Sequence, residues 1–242
     1  MDRPRAPEVW LLEACGRMIP NEMGVAMFRA CMFDLDGTLV NSLADLASSC
    51  NHALAQQGLP THATNEYRRF VGRGIAKLIG DVVPEHRRTP ETLERTRTLF
   101  DEHYDVHCLD HTRPYDGIGQ LLSGLADYGC AVVSNKPDLL AKRIVSALFG
   151  NRFDVVMGQR EGVALKPDPT GPLEACSLMG VRPAQCLFLG DSGVDMVTAR
   201  TAGMFPAGAL WGFRTRHELV ESGARALLEA PQDLLAVLRA PQ

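Results

Sequence analysis

The stretch FDLDGT, residues 33–38, begins at Phe33, the last residue of the short apolar run RACMF, residues 29–33. A regular alternation of apolar and polar segments begins near this point. Short apolar runs of this kind predict strands that are covered on both faces. Gly37 after two carboxylates lets the chain leave the strand sharply, because glycine has no Cβ to strain the turn. The stretch therefore predicts a first buried strand with a polar group at its carboxyl end.

Brief apolar runs alternate with helical patterns through the rest of the chain. Further strand candidates are Ala131 to Val133, Phe153 to Met157, Cys186 to Leu189 and Phe205 to Leu210. The helical patterns between them are Gly117 to Tyr128, Leu139 to Phe149, Pro169 to Met179 and Val194 to Ala202. This alternation predicts an α/β fold with a doubly wound parallel sheet, that is, a Rossmann-like core.

Residues 43–113 interrupt the alternation. They hold amphipathic helical stretches and no convincing strand: Leu43 to Gln57, Thr64 to Phe70, Ile75 to Ile79 and Pro90 to Cys108. We therefore predict a helical cap over 43–113, inserted into an α/β core made of residues 28–42 and 114–242.

Residues 1–27 are rich in Pro, Arg and Met and fit the later pattern poorly. Their apolar pieces are too short and too broken for a secretory signal peptide. We expect either a disordered N-terminal extension or an upstream translation start, with Met23 or Met27 as the alternative starts.

The composition is that of an ordinary soluble globular protein. Its 242 residues are 45% hydrophobic and 22% charged, with a formal charge of −4. No broad basic field favours nucleic acid as a partner, and no apolar run reaches the ~18–20 residues that span a bilayer. The seven cysteines are scattered and include no CxxC pair. We therefore expect reduced thiols and a cytoplasmic location.

Polar residues follow the predicted strands. They are Asp34, Asp36, Gly37 and Thr38 after the first strand, Ser134, Asn135 and Lys136 after the second, and Gly190, Asp191, Ser192 and Asp195 after the Cys186 to Leu189 run. Lys166 lies in a loop between them. Ligands bind outside the carboxyl ends of the strands in such sheets, so we expect these groups to meet at one edge.

Four carboxylates and one lysine would form an anionic pocket that calls for a hard divalent cation. Mg²⁺ fits best, with Asp34, Asp36, Asp191 and Asp195 as the candidate metal residues. The pattern indicates metal-dependent phosphoryl transfer, in which one aspartate of the Asp34–Asp36 pair is the nucleophile and the other serves as acid and then base. The alternative is that Asp34, Asp36 and Gly37 form only a polar turn with no catalytic role.

The remaining polar residues have a binding and a structural interpretation. Ser134 and Asn135 form an anion cradle or cap the helix that begins near Pro137. Lys166 contacts a phosphoryl oxygen or is a solvated surface charge. Residues 191–195 cap a helix, face a metal, or do both.

Two further patterns have both a functional and a structural interpretation. His103, His107 and His111 recur at a spacing of four residues, which makes zinc conceivable, but we favour a partly solvated helix face. Arg73, between Gly72 and Gly74, either contacts a substrate carboxylate or phosphate or lies in a surface turn.

The four stretches 33–40, 133–137, 166–169 and 190–195 resemble, in order, the motifs of the haloacid dehalogenase superfamily. The resemblance spans about residues 28–235. Within the superfamily the chain is similar to the phosphoglycolate phosphatase group, on the stretches 70–74 and 110–117 and on the tail from Trp211.

The resemblance implies roles for the matched residues. Asp34 would be the nucleophile and would hold Mg²⁺ together with Asp191 and the backbone carbonyl of Asp36. Asp36 would protonate the leaving alcohol and then activate water. Ser134 and Asn135 would bind the phosphoryl group, with Gly37 and Thr38 beside them. Lys166 would neutralise the phosphoryl group and Asp34, and Asp195 would support the metal indirectly. Residues 43–113 would be a mobile cap that closes over the substrate.

The resulting prediction is a phosphoric monoester hydrolase, a phosphatase that acts on a small phosphorylated metabolite, most specifically 2-phosphoglycolate. The alternatives are a phosphatase of another small metabolite, such as a sugar phosphate or pyrophosphate, a sugar-phosphate mutase of the same superfamily, and a non-catalytic phosphate-binding module. The chain is expected to be a monomer or a homodimer.

Overall fold

The computed structural model describes residues 10–11 and 28–239. Its strands are β1 (Trp10–Leu11), β2 (Ala30–Phe33), β3 (Val40–Asn41), β4 (Arg113–Pro114), β5 (Gly129–Pro137), β6 (Val155–Gln159), β7 (Cys186–Gly190), β8 (Phe205–Ala209) and β9 (Ala226–Leu228). Seven of them form one sheet in the order β1-β9-β8-β7-β2-β5-β6. All neighbours in this sheet are parallel except β1 and β9.

The α-helices lie between these strands in chain order. They are α1 (Leu43–Ala55), α2 (Ile75–Val82), α3 (Pro90–His107), α4 (Ile118–Ser123), α5 (Asp138–Phe149), α6 (Thr170–Met179), α7 (Gly193–Thr201), α8 (Arg216–Glu221) and α9 (Asp233–Arg239). Short 3-10 helices span Thr64–Arg69, Glu85–Arg87 and Pro183–Gln185.

Strand β2 lies at the centre of the sheet between β7 and β5, and its side chains alternate between two apolar layers. Cys31 and Phe33 belong to the larger hydrophobic cluster, whereas Ala30 and Met32 belong to the smaller one on the other face. All four are fully buried. Both faces of the sheet are therefore covered, which confirms the doubly wound prediction. The strand order reverses at β2, and ligands bind at such a switch point.

Residues 43–113, which we call the helical insertion, leave and rejoin the core at one place, a two-stranded ribbon separate from the seven-stranded sheet. Strands β3 and β4 pair antiparallel, Val40 with Pro114 and Asn41 with Arg113. Inside the insertion, α1 packs on α3, and Tyr67, Phe100 and Tyr104 are fully buried. These residues belong to the same hydrophobic cluster as Phe33 on the sheet, so the insertion and the core share one apolar interior.

The buried carboxylate of Asp45, at the start of α1, holds the end of the insertion. It accepts hydrogen bonds from the backbone N–H groups of His111 (2.9 Å) and Thr112 (2.8 Å) and from the Thr112 hydroxyl (2.7 Å). Burial by itself raises the pKa of Asp45, but these hydrogen bonds lower it below its ordinary value. The two ends of the insertion are thereby fixed to each other.

Several predicted elements differ in detail. Residues 64–69 form a 3-10 helix rather than an amphipathic α-helix, and α4 ends at Ser123, before Gly124, instead of continuing to Tyr128. The short strands β1, β3, β4 and β9 were not predicted, since two or three residues carry no periodic pattern. The expected disordered extension concerns residues 1–27, which, apart from Trp10–Leu11, lie outside the described residues. No helix in the described ranges has the length and apolarity that a bilayer crossing needs.

Candidate active site

The carboxyl end of β2 places Asp34 at the centre of the sheet edge. The Asp34 N–H donates to the Leu189 carbonyl at 3.0 Å, so the residue continues the ladder with β7. The chain then turns at Gly37, whose φ of +89° favours glycine. A Cβ built on Gly37 would lie 2.7 Å from Asp191 Cγ, so any side chain there would displace the Asp191 carboxylate.

The carboxyl end of β7 contributes Asp191, and the first turn of α7 contributes Asp195. Asp191 Oδ2 accepts a hydrogen bond from the Phe213 N–H at 2.7 Å, and its Oδ1 accepts one from the Thr38 hydroxyl at 3.4 Å. Asp195 Oδ2 accepts from the Ser192 N–H (3.1 Å) and from the Ser192 hydroxyl (2.6 Å). Residues 191–195 therefore both cap a helix and face the site.

Three carboxylates and one ammonium meet at this edge. One oxygen each from Asp34, Asp191 and Asp195 lies within 4.8 Å of the others. The three residues are only 5%, 2% and 1% exposed. Lys166 Nζ bridges two of them, at 2.8 Å from Asp34 Oδ1 and 2.7 Å from Asp195 Oδ1. We call this group the carboxylate cluster.

The carboxylate cluster carries more negative than positive charge. Burial raises the pKa of Asp34 to about 6, although the Lys166 ammonium opposes the rise. Burial and then the neighbouring Asp195 and Asp34 carboxylates raise the pKa of Asp191 well above its ordinary value. A cation held among closely spaced buried carboxylates would favour their ionised form and so lower these pKa values.

A hard divalent cation fits this donor set. All of its candidate ligands are oxygens, which such cations prefer. Asp34 and Asp191 would hold the ion, and the backbone carbonyl of Asp36 is the third ligand that the family resemblance implies. Both Asp195 oxygens are already engaged by Lys166 and Ser192, so Asp195 suits an indirect role.

The Asp36 side chain lies apart from the carboxylate cluster. Its oxygens contact Lys136 Nζ at 3.0 and 2.9 Å, and Oδ1 also accepts from the Ser42 hydroxyl at 2.5 Å. Sequence reasoning assigned no role to Lys136 or Ser42. One signal was present for Lys136: residues two apart on a strand share a face, so Lys136 had to point to the same side as Ser134.

Asn135 has a different contact from the one expected. Its Nδ2 donates to the carbonyls of Gly72 and Lys166, both at 3.1 Å, and its Oδ1 accepts from the Lys166 N–H at 2.8 Å. The side chain thus braces the Lys166 loop and touches the helical insertion, and a contact of Asn135 with phosphate stays a prediction. The N-cap alternative also fails, because Ser134 and Asn135 lie within β5 and the helix begins at Asp138.

Gly37 and Thr38 were expected beside the phosphate, and their donors are used elsewhere. The Gly37 N–H donates to the Val40 carbonyl at 2.8 Å, and the Thr38 N–H donates to the Leu35 carbonyl at 3.3 Å. The Thr38 hydroxyl points to Asp191. These residues build the turn and support Asp191, because a tight turn consumes its own N–H groups.

A cavity separates Asp34 and Asp36 from the helical insertion. Ser134 and Lys136 line its core side. Its other side is mainly apolar and consists of Leu46, Val71, Gly72, Gly74, Ile75 and Leu78. Arg73 does not line this cavity; it is exposed and donates to Asp81 Oδ2 at 3.3 Å. A substrate contact of Arg73 therefore stays a prediction, beside the surface-turn alternative.

The predicted histidine row lies on the helical insertion, away from the carboxylate cluster. The rings of His103 and His107 stack with centroids 4.2 Å apart, and His52 stacks on the other side of His103 at 4.3 Å. His111 Nδ1 instead lies 2.9 Å from Asp45 Oδ1. His103 Nδ1 lies 2.9 Å from the Ser49 hydroxyl oxygen and His107 Nδ1 lies 2.7 Å from Asp110 Oδ2, so each of the three imidazoles has a partner of its own.

Two arginines join the helical insertion to the core beside Asp191. Arg214 donates to the Val71 carbonyl at 2.7 Å and also to the Arg68 carbonyl. Arg68 in turn donates to the Gly212 carbonyl at 2.9 Å. The loop that holds Gly212 and Arg214 also supplies the Phe213 N–H to Asp191. Docking of the insertion and the position of Asp191 therefore share one loop.

We expect Arg214→Ala to lower kcat/KM on a phosphomonoester about 10- to 100-fold, since charged donors to carbonyls contribute about 1.5–3 kcal/mol. Steady-state kinetics and hydrogen exchange of residues 68–71 measure the change. Arg216→Ala is the matched control, because Arg216 pairs with Glu229 on the surface. Equal kinetics for the two variants would contradict a docking role for Arg214.

Comparison with known proteins agrees with this fold. The sequence model of the haloacid dehalogenase-like hydrolase family matches residues 31–209. The chain therefore belongs to the haloacid dehalogenase-like hydrolases, which confirms the family resemblance.

Individual relatives cover nearly the whole described core. A phosphoglycolate phosphatase from Xanthomonas campestris is 32% identical over 88% of this chain and 98% of its own. An N-acetylmuramic acid 6-phosphate phosphatase from Pseudomonas aeruginosa is 32% identical over 87% of this chain and 94% of its own. The crystal structure of a candidate phosphoglycolate phosphatase from Lactobacillus delbrueckii superposes with a TM-score of 0.83 and 29% identity, over 88% of this chain and 98% of that one.

Proposed function

We propose that this protein is a phosphatase that hydrolyses 2-phosphoglycolate to glycolate and phosphate. The observation that carries the proposal is the separation of two aspartates only two residues apart. Asp34 lies in the carboxylate cluster against Lys166, whereas Asp36 contacts Lys136 and Ser42 directly. One carboxylate is thus placed to attack a phosphoryl group and the other to exchange protons. Relatives named phosphoglycolate phosphatase support the substrate.

In the first half of the proposed reaction, an Asp34 carboxylate oxygen attacks phosphorus and forms an aspartyl-phosphate. The bond between phosphorus and the alcohol oxygen breaks, and protonated Asp36 donates its proton to that oxygen. In the second half, Asp36 accepts a proton from water, whose oxygen attacks phosphorus and releases Asp34 and inorganic phosphate. Both halves use the same two side chains, and Asp36 ends in its starting protonation state.

The phosphoryl group brings negative charge into a pocket that is already acidic. Lys166 offsets part of this charge, and the Ser134 hydroxyl lines the cavity where it can donate to a phosphoryl oxygen. A bound divalent cation, which we propose is Mg²⁺, supplies the remaining charge compensation. Without it, the substrate and the carboxylates would repel each other.

We further propose the division of the chain into a core of residues 28–42 and 114–242 and a cap of residues 43–113. The antiparallel β3–β4 ribbon at the crossing and the Arg68 and Arg214 contacts support it. A cytoplasmic location is proposed because the six described cysteines carry no disulfide. We propose a monomer or a homodimer.

A panel of phosphorylated metabolites tests the proposed substrate. We expect the highest kcat/KM on 2-phosphoglycolate, compared with hexose phosphates, N-acetylmuramic acid 6-phosphate, pyrophosphate and nucleotides. A higher kcat/KM on N-acetylmuramic acid 6-phosphate would assign that compound as the substrate, and the proposed hydrolysis of a phosphomonoester would stand. Isomerisation of a sugar phosphate without phosphate release would indicate a mutase. Absence of turnover on every compound and on p-nitrophenyl phosphate would indicate a binding module.

Magnesium affinity is expected to rise with pH. Burial raises the pKa of Asp34 to about 6, so at lower pH the metal competes with a proton for this carboxylate. The Mg²⁺ dissociation constant should fall at least about tenfold between about pH 5 and pH 7. Calorimetric titration of metal-free protein measures it, with Asp191→Asn as the variant that should lose binding. A pH-independent constant would contradict a ligand role for Asp34.

A further inference from the structure

Lys136 is a buried cation at the end of β5 that the proposed reaction does not yet use. Its side chain is 3% exposed, and its Nζ contacts both oxygens of Asp36, at 3.0 and 2.9 Å. The Ser42 hydroxyl reaches Asp36 Oδ1 from the other side. Lys166 serves Asp34 and Asp195 instead. Each aspartate of the pair thus has a lysine of its own.

The helical insertion covers Lys136. The ring of Tyr104, on α3, is fully buried, and its centroid lies 4.9 Å from Lys136 Nζ. A cation over an aromatic face is stabilised most when water is excluded. The Tyr104 hydroxyl has no hydrogen bond of ordinary geometry among the described residues, and the contact that the structure shows is the Lys136 ammonium over the ring. A residue of the insertion therefore packs on the lysine that holds Asp36.

The ion pair between Lys136 and Asp36 has a consequence for the orientation of both side chains. Burial by itself lowers the pKa of the Lys136 ammonium, but the Asp36 carboxylate raises it above the ordinary value. A buried ion pair is weak evidence for stability, whereas it fixes the direction of both side chains. Proton transfer needs such a fixed direction, because the donor must lie within hydrogen-bond reach of the reacting oxygen.

We propose that Lys136 is a positioning residue that, packed under Tyr104 of the insertion, aims the Asp36 carboxyl group at the leaving oxygen. This inference rests on the proposed function, since it assigns Asp36 to proton transfer. Lys136 acts through Asp36 and makes no contact with the phosphoryl group in this role.

The first test compares Lys136→Met with Lys142→Met, whose lysine forms an exposed ion pair with Asp138. On 2-phosphoglycolate, Lys136→Met should lower kcat about 100-fold and change KM less than about threefold, as loss of aligned proton transfer predicts. Lys142→Met should match the wild type. The rate of phosphoenzyme formation in the first turnover is compared for the two substrates, because p-nitrophenolate leaves without a proton. If Lys136→Met slows this rate equally with p-nitrophenyl phosphate and with 2-phosphoglycolate, the proposal is overturned.

A double-mutant cycle separates positioning from a general structural effect. In an Asp36→Asn background, adding Lys136→Met should change kcat less than about twofold, because the group that Lys136 positions is already gone. If the fold-loss in kcat of the double variant equals the product of the losses of the two single variants, the proposal is overturned. The double variant removes both partners of the buried pair, so it remains informative even if Lys136→Met alone fails to fold.

Substitutions of Tyr104 test whether its ring, on the helical insertion, contributes to the positioning by Lys136. Tyr104→Phe keeps the ring and should retain wild-type kcat, whereas Tyr104→Leu should lose about tenfold in kcat with inorganic phosphate binding unchanged. Equal kcat for these two variants would remove Tyr104 from the proposal. If the wild type prefers another alkyl phosphate, the substrate proposal fails, and the same variants test Lys136 on that compound.

Discussion

Replacement of Asp34 by asparagine is expected to abolish phosphate release. The amide has no anionic oxygen to attack phosphorus, so kcat should fall by at least about 10⁴-fold. The substitution keeps the size of the side chain and removes one of the two carboxylates that Lys166 bridges. A phosphate-release assay measures the loss, and acid-quenched mass spectrometry shows whether the phosphorylated protein is absent.

Asp127→Asn is the matched control for this variant, because Asp127 is exposed and lies outside the cavity. It should retain wild-type turnover. Thermal unfolding of Asp34→Asn should show a folded protein, so that the loss is one of chemistry. Phosphate release at a wild-type rate by a homogeneous Asp34→Asn sample would assign the nucleophile to another residue.

Replacement of Asp36 by asparagine is expected to lower kcat about 10²- to 10⁴-fold, the range that a lost general acid and base accounts for. Affinity for inorganic phosphate and for Mg²⁺ should persist, because the carboxylate cluster remains intact. The rate of phosphoenzyme formation should fall less with p-nitrophenyl phosphate than with an alkyl phosphate, because p-nitrophenolate leaves without a proton. Rapid-quench kinetics with both compounds measure this difference.

The Asp36 variant also has an expected effect on stability. Asparagine leaves the Lys136 ammonium buried without its carboxylate, which destabilises a protein by about 3–5 kcal/mol. The melting temperature of Asp36→Asn should therefore fall, and the added Lys136→Met should restore part of it. Loss of Mg²⁺ binding together with unfolding would instead give Asp36 a structural role.

Much of the fold follows from local pattern. The apolar run before Asp34 predicts a strand buried on both faces, and Cys31 and Met32 indeed enter opposite layers. Polar residues after parallel strands converge because all such strands end at the same edge. For this reason Asp34, Lys166, Asp191 and Asp195 were expected together, and the structure brings them together.

Local pattern was less informative where a side chain chooses among several partners. The sequence allowed Asn135 and Thr38 to face a phosphate, yet Asn135 braces the Lys166 loop and Thr38 points to Asp191. Each has nearby backbone or carboxylate partners that satisfy it without a ligand. A buried polar group takes such a partner because leaving it unpaired is costly.

The sequence by itself determined the α/β core, the helical insertion, the family and the four acidic and basic positions of the carboxylate cluster. Only the tertiary structure decided that Lys136 pairs with Asp36, 100 residues away, and that Arg214 reaches the Val71 carbonyl, 143 residues away. Strand and helix patterns are set by neighbours within a few residues, so they persist in the sequence. Contacts between residues 100 or more positions apart depend on how distant segments pack together, and no local spacing records that.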